Sequence, residues 1–251
     1  MLEENVELIL QRLRPGDVVL DIGAWGRPFN RANYVLDQEP FETRGSYGLP
    51  AQGGEQESFS RETWIRWDIC SRDPFPFGPK EIDFVICSHT LEDIRDPLWV
   101  CSEMARIAKA GYIEVPSRAA ESSRGVEPGQ AGWSHHRWLI DMDGSSIRFM
   151  MKYHMIHSHW RLSFPQRFLR RMPEREKVQW MFWEGTLEFS ETTLHGVGTI
   201  ERELDRFIRS KRPYPALLVE ADRAYRFARS LPRRAVAKLK REALKRIGAK
   251  T

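Results

Sequence analysis

Apolar residues recur at helical spacing over residues 4–13, where Val6, Ile9, Leu10 and Leu13 share one face. Pro15-Gly16-Asp17 breaks that pattern. Val18 to Ile22 is then a continuous apolar run around Asp21, as in a parallel strand covered on both faces. Further strands are predicted at 34–37 (YVLD), 63–69 (TWIRWDI), 82–88 (IDFVICS) and 111–117 (GYIEVPS). Leu98, Cys101, Met104, Ala105 and Ala108 predict a helix over 96–110, opened by Asp96 as cap and Pro97 at the first helical position. Strands alternating with helices or crossovers make this an α/β protein with a mostly parallel sheet. Residues 38–62 are polar and rich in Gly, Gln and Ser, a connection long enough to be a lid or an insert with its own short helix. Residues 118–134 read as irregular, 180–190 (WMFWEGTLEFS) as strand material, and Ala235–Ile247 as an amphipathic helix.

Charge changes this picture at one end of the chain. The net charge is +4, yet residues 201–251 hold 16 Lys and Arg against 6 Asp and Glu, so the preceding body is mildly acidic. The expected organisation is a domain over 1–200 and a basic helical extension over 201–251. Such an extension is most simply solvated surface. Its alternatives are weak contacts with anionic lipid or nucleic acid. No apolar run approaches the roughly 18 residues of a membrane span, and the acidic, amphipathic N-terminal stretch is unlike a secretory signal. Cys70, Cys87 and Cys101 include no C-x-x-C pair and read as reduced thiols of a cytoplasmic protein.

In an open α/β sheet, ligands bind beyond the carboxyl ends of the strands. Those ends carry Asp21 and Gly23, Asp37, Asp68, Ser88 and His89, and Glu114. Several carboxylates on one rim call for a ligand rich in donors, because an unpaired buried charge is costly. An adenosine with an aminoacyl tail meets that need.

The segments VVLDIGAWG, YVLDQEP, WDIC, FVICSHTLEDIRDP and EMARIAKAGYIEVPS, in this order over residues 15–117, resemble the class I S-adenosylmethionine-dependent methyltransferases. GWSHHRW and DGSSIRFMMK resemble the later part of one bacterial branch, similar to type 11 methyltransferases of mostly unassigned substrate. The resemblance implies a Rossmann-like sheet with helices on both faces and S-adenosylmethionine as methyl donor, S-adenosylhomocysteine being the product. By position it places Asp21, Gly23 and Ala24 at the methionine moiety, Asp37 at the ribose hydroxyls, Asp68 and Ile69 at the adenine, and Ser88 and His89 beside the methyl. The glycine loop departs from the family pattern, with Trp25 and Arg27 where glycines usually stand. Asp21 and Asp37 are also too close for a full first helix, so a contracted one is expected, with Trp25 walling or stacking on the cofactor.

Each position has a plainer reading: Asp21 and Asp68 as turn caps, His89 as a core histidine, His135-His136-Arg137 as a polar loop pinned by Trp133 and Trp138. The candidate bases are His89, His135 and His136. His154, His157 and His159 lack an accompanying Cys pair or H-E-x-x-H motif, so no metal is expected. The expected activity is methylation, with oxygen as the expected acceptor atom, of a small molecule, sugar or glycan precursor. The alternatives are RNA methylation using the basic tail and a non-catalytic binding protein. A homodimer is compatible with either enzyme reading.

Overall fold

The computed structural model describes residues 1–144, 146–229 and 238. Two compact units divide the chain, Met1–Asp205 and Arg206–Thr251.

The first unit is built on a six-stranded sheet. Its strands are β1 (Val19–Ile22), β2 (Tyr34–Asp37), β3 (Trp64–Arg66), β4 (Ile82–Ser88), β5 (Ala108–Pro116) and β8 (Val178–Glu184), in the order β3-β2-β1-β4-β5-β8. All neighbours are parallel except β8, which runs antiparallel to β5 at one edge. The fold is α/β and Rossmann-like, with strand order reversing between β1 and β4. A smaller sheet joins β6 (Trp138–Asp143), β7 (Ser146–Met151) and β9 (Glu188–Glu191) in the order β6-β7-β9.

Alternate residues of the central strands enter two separate cores. Leu20, Ile22, Leu36, Val85, Cys87 and Ile113 pack with Val100, Cys101, Met104 and Ile107 of α2 (Pro97–Ile107). Val19, Val35, Phe84, Ile86 and Tyr112 face the other way, onto Ile9 of α1 (Glu3–Arg12). One helix therefore covers each face. Asp96 caps α2 by accepting from Trp99 N at 3.1 Å, with Pro97 in the first turn.

The contracted connection after β1 has a physical substitute for its missing helix. Phe29 is fully buried in the α1-side core together with Phe59 and Ala32. The backbone of Phe29 bridges to that of Gln52 in the long 38–62 connection. Asn30 N donates to Gln52 O at 2.8 Å, and Gln52 Nε2 donates to Arg27 O at 2.6 Å. The insert thus supplies the packing partner that a helix would otherwise provide. It carries one short 3-10 turn, Phe41–Thr43.

Several boundaries move from those expected. The predicted helix stops at Ile107 because β5 begins at Ala108. The strand predicted over 63–69 shortens to Trp64–Arg66. The 180–190 stretch is split at Gly185 into β8 and β9, which serve different sheets. Residues 118–134 include the short helix α3 (Arg118–Glu121), capped by Ser117. Two helices, α4 (Gln166–Arg171) and α5 (Glu174–Lys177), precede β8, and α6 (Val197–Lys211) follows β9. In the second unit, residues 216–229 are helical. The amphipathic helix expected over Ala235–Ile247 lies outside the described residues, Lys238 excepted. The three cysteines are free and buried. Among the described residues no helix is long and apolar enough to cross a membrane.

Candidate active site

A cavity of about 770 Å³ opens at the carboxyl ends of β1, β2 and β4. Asp21, Gly23, Ala24, Trp25, Asp37, Asp68, Ile69, Ser88 and His89 all line it. The three strand-end aspartates therefore face one shared space.

Gly23 sets the loop that enters this space. Its backbone is left-handed, with φ +70°, and its N–H donates to Leu36 O at 3.0 Å, extending the β1–β2 pairing by one residue. A Cβ there would stand 2.2 Å from Thr90 Oγ1, so only glycine fits without displacing Thr90. Gly26 is held in the same way against the Tyr47 ring. Trp25 meets Tyr47 edge-on at 5.4 Å between centroids and donates from Nε1 to Thr43 Oγ1 at 2.9 Å. The Trp at the expected second glycine is thus fixed against the insert as part of the cavity wall.

Asp37 holds this loop from below. Its Oδ2 accepts from Trp25 N and its Oδ1 from Glu39 N, each at 2.8 Å. Burial raises its pKa, and the two backbone donors oppose that shift. A carboxylate offers about four acceptor sites, so roughly two remain for a ligand. Asp21 is fully enclosed and accepts from Phe29 N at 2.8 Å, which makes it a loop-closing residue as well as a lining one. Burial pushes its pKa to about 7, opposed by the Phe29 donor and reinforced by Asp37. Asp68 accepts from Cys70 N at 2.8 Å and so also caps the turn after β3.

His89, directly after β4, is left-handed with φ +52°, an uncommon backbone for a non-glycine residue. Its N–H donates to Glu114 O at 2.8 Å. Its ring lies between two carboxylates, with Nε2 3.2 Å from Glu114 Oε1 and Nδ1 3.5 Å from Glu92 Oε1. Burial alone would lower the imidazole pKa, but Glu114 and Glu92 outweigh it and raise it to about 9. The upward shift favours the imidazolium and argues against His89 as the base. Glu114 is fully buried; despite the desolvation, donation from His89, Tyr112 and Asn5 draws its pKa down to about 2.

His136 is buried, stacked on Trp133 at 5.0 Å, while His135 is exposed. The lining takes in Asp93 and Arg137 beside them, but neither imidazole. Trp138 Nε1 donates to Ile94 O at 2.9 Å, which ties this segment to the turn after β4. His157 Nδ1 accepts from Ala131 N, tying the 154–157 turn to the segment before β6, and His159 Nδ1 accepts from Arg161 N two residues on.

The site also holds residues the strand-end rule does not reach: Trp67, Thr90 and Asp93, and Tyr47, Leu49 and Gln52 from the insert. Four buried polar atoms on lining residues have no hydrogen-bond partner within the protein: Gln52 Oε1, Trp67 Nε1, Ser88 Oγ and Asp93 Oδ1. Buried polar groups are normally paired. Their concentration around one cavity fits a polar, multi-donor ligand.

No protein-family model and no curated protein sequence matches the chain. Similar solved structures include a chain of the complex containing the Haloferax volcanii Trm112 methyltransferase activator, at 19% identity and TM-score 0.35, covering 56% of this chain and 70% of that one. A SAM-dependent methyltransferase from Aquifex aeolicus is similar at 17% identity and TM-score 0.32, over 52% of this chain and 72% of that one. The N-terminal domain of EvdMO1 with SAH bound is similar at 15% identity and TM-score 0.31, over 62% of this chain and 60% of that chain's length. Likenesses this remote carry no argument, and the chemistry is argued from the cavity itself.

Proposed function

We propose that the protein is an S-adenosylmethionine-dependent methyltransferase acting on a small molecule, a sugar or a glycan precursor, with oxygen as the accepting atom. The observation that carries this reading is the convergence of Asp21, Asp37 and Asp68 on one cavity at the switch point of a Rossmann-like sheet. The volume of about 770 Å³ suits a nucleoside-sized ligand with room for an acceptor.

In this reading the free acceptor sites of Asp37 take the ribose hydroxyls. Asp68 and Ile69 border the adenine. The backbone at Gly23 and Ala24 passes the aminoacyl end, with Asp21 beneath it and Trp25 as a wall. The bound donor supplies an electrophilic methyl group on a sulfonium. The chain's part is to orient the acceptor in line with that methyl and to keep water out, which accounts for much of the rate in such transfers. His89 contributes fixed positive charge at the cavity floor rather than proton abstraction.

Mass spectrometry of the purified, natively folded protein tests the reading. Carried-over S-adenosylhomocysteine, lost in Asp37→Ala, supports it. A protein that carries none and takes up none when the compound is added refutes it.

A further inference from the structure

Asp93, His135 and His136 present one carboxylate oxygen and two imidazole nitrogens that all lie within 4.8 Å of one another. Asp93 is distant in sequence from the adjacent His135 and His136, and the backbone joins them: Arg137 N donates to Glu92 O at 2.7 Å and Trp138 N to the same oxygen at 3.3 Å. This holds the 135–138 segment against the turn that follows β4.

Hydrogen bonding does not explain the cluster. Asp93 Oδ1 stands 3.4 Å from His136 Nε2 and 3.9 Å from His135 Nε2. Both exceed the usual range of about 2.7–3.2 Å for N–H···O, and Oδ1 is left as an unpartnered buried atom. The two distances from Asp93 come near the spacing of metal ligands. Two ligands each about 2.0–2.1 Å from a tetrahedral zinc ion stand roughly 3.4 Å apart. The His136 edge meets that distance, and the exposed His135 ring has to close by about half an ångström.

The surroundings support the same assignment. His136 is itself more than nine-tenths buried, with its other nitrogen, Nδ1, 3.1 Å from Glu121 Oε1. That approach does not meet hydrogen-bond geometry, so Nδ1 is close to the carboxylate without a formed bond. Glu121 is fixed by Lys152 Nζ at 3.0 Å and by Trp133 N at 3.2 Å. Carboxylate–histidine–metal relays of this kind orient metal-binding imidazoles.

We propose that Asp93, His135 and His136 bind a divalent first-row transition metal, zinc in the first instance, at the wall of the cavity. Two imidazoles and one carboxylate favour such a metal over magnesium or calcium. Three protein ligands leave a coordination position open. Asp93 lines the cavity, so an oxygen of the acceptor is the natural fourth ligand. That last step rests on the methyltransferase reading; the metal site does not.

The test uses the full chain, stripped of metal with a chelator. Zn²⁺ is titrated calorimetrically and Co²⁺ by visible absorption. One Zn²⁺ per chain and a tetrahedral Co²⁺ spectrum are expected, with affinity at least tenfold weaker in His135→Ala and in Asp93→Asn. His135 is exposed, so its variant is expected to fold; circular dichroism checks both. Absence of stoichiometric binding in the folded wild type, or binding unchanged in both folded variants, overturns the proposal. S-adenosylhomocysteine is titrated separately: its failure to bind counts against the methyltransferase reading alone, and failure of zinc alone counts against the metal site.

Discussion

Replacing Asp37 by alanine removes two things at once, and the structure separates their sizes. The carboxylate accepts from Trp25 N and Glu39 N at 2.8 Å. Losing a charged acceptor leaves each donor short by about 1–3 kcal/mol if dry. Trp25 lines a cavity open to water and Glu39 is exposed, so the smaller figure applies and the expected stability loss is about 1–2 kcal/mol. For a domain of this size that is a fall in Tm of roughly 2–8 °C. The second loss falls on the ligand. Two hydroxyl donors to an ionised carboxylate are worth about 1.5–3 kcal/mol each, less what water recovers. A net deficit of about 2–3 kcal/mol corresponds to a 30- to 150-fold weaker Kd for S-adenosylhomocysteine. Isothermal titration calorimetry measures this well below the melting range. A folded Asp37→Ala protein whose Kd lies within threefold of wild type would refute the ribose assignment, whatever its Tm.

Gly23→Ala sets a Cβ 2.2 Å from Thr90 Oγ1 on a left-handed backbone; chemical denaturation should show a loss of about 2–4 kcal/mol, and a loss under 0.5 kcal/mol would mean the loop is not pinned there. Asp21 has a folded-state pKa raised from 3.8 to about 7, so its contribution favours folding below pH 4 and is withdrawn as pH rises through 7, by up to about 4 kcal/mol. Asp21→Asn, which still offers Phe29 an acceptor, should flatten that decline in melts between pH 4 and 8. His89 is raised from 6.5 to about 9 by Glu114 and Glu92 against the cost of burial. Its stabilisation is therefore complete below pH 6.5 and lost as pH rises through 9, a slope that His89→Gln should abolish. Its partial exposure, 42% of the side chain, keeps the size of that slope small.

How far the chain could be read in advance follows from where each signal is stored. Strands β2 and β4 were legible residue for residue, because a mostly apolar run bounded by polar residues admits little else. Strands β6 and β7 were not, since Trp138–Asp143 and Ser146–Met151 mix charged and apolar residues without a clean period. The acids on the rim were legible from the strand-end rule. Tyr47 and Gln52 were not, because they reach the cavity only when the insert folds over Phe29. Histidines crowd in sequence at 154–159, where the pattern alone would place a metal if anywhere. The cluster at Asp93, His135 and His136 depends on two backbone bonds to Glu92 O that no local pattern announces.

Calorimetric titration of the unmodified protein with S-adenosylmethionine bears on all of this most directly. A single site per chain with micromolar affinity, competed by S-adenosylhomocysteine, is the predicted result. A correctly folded sample that shows no binding at high micromolar ligand would contradict the account.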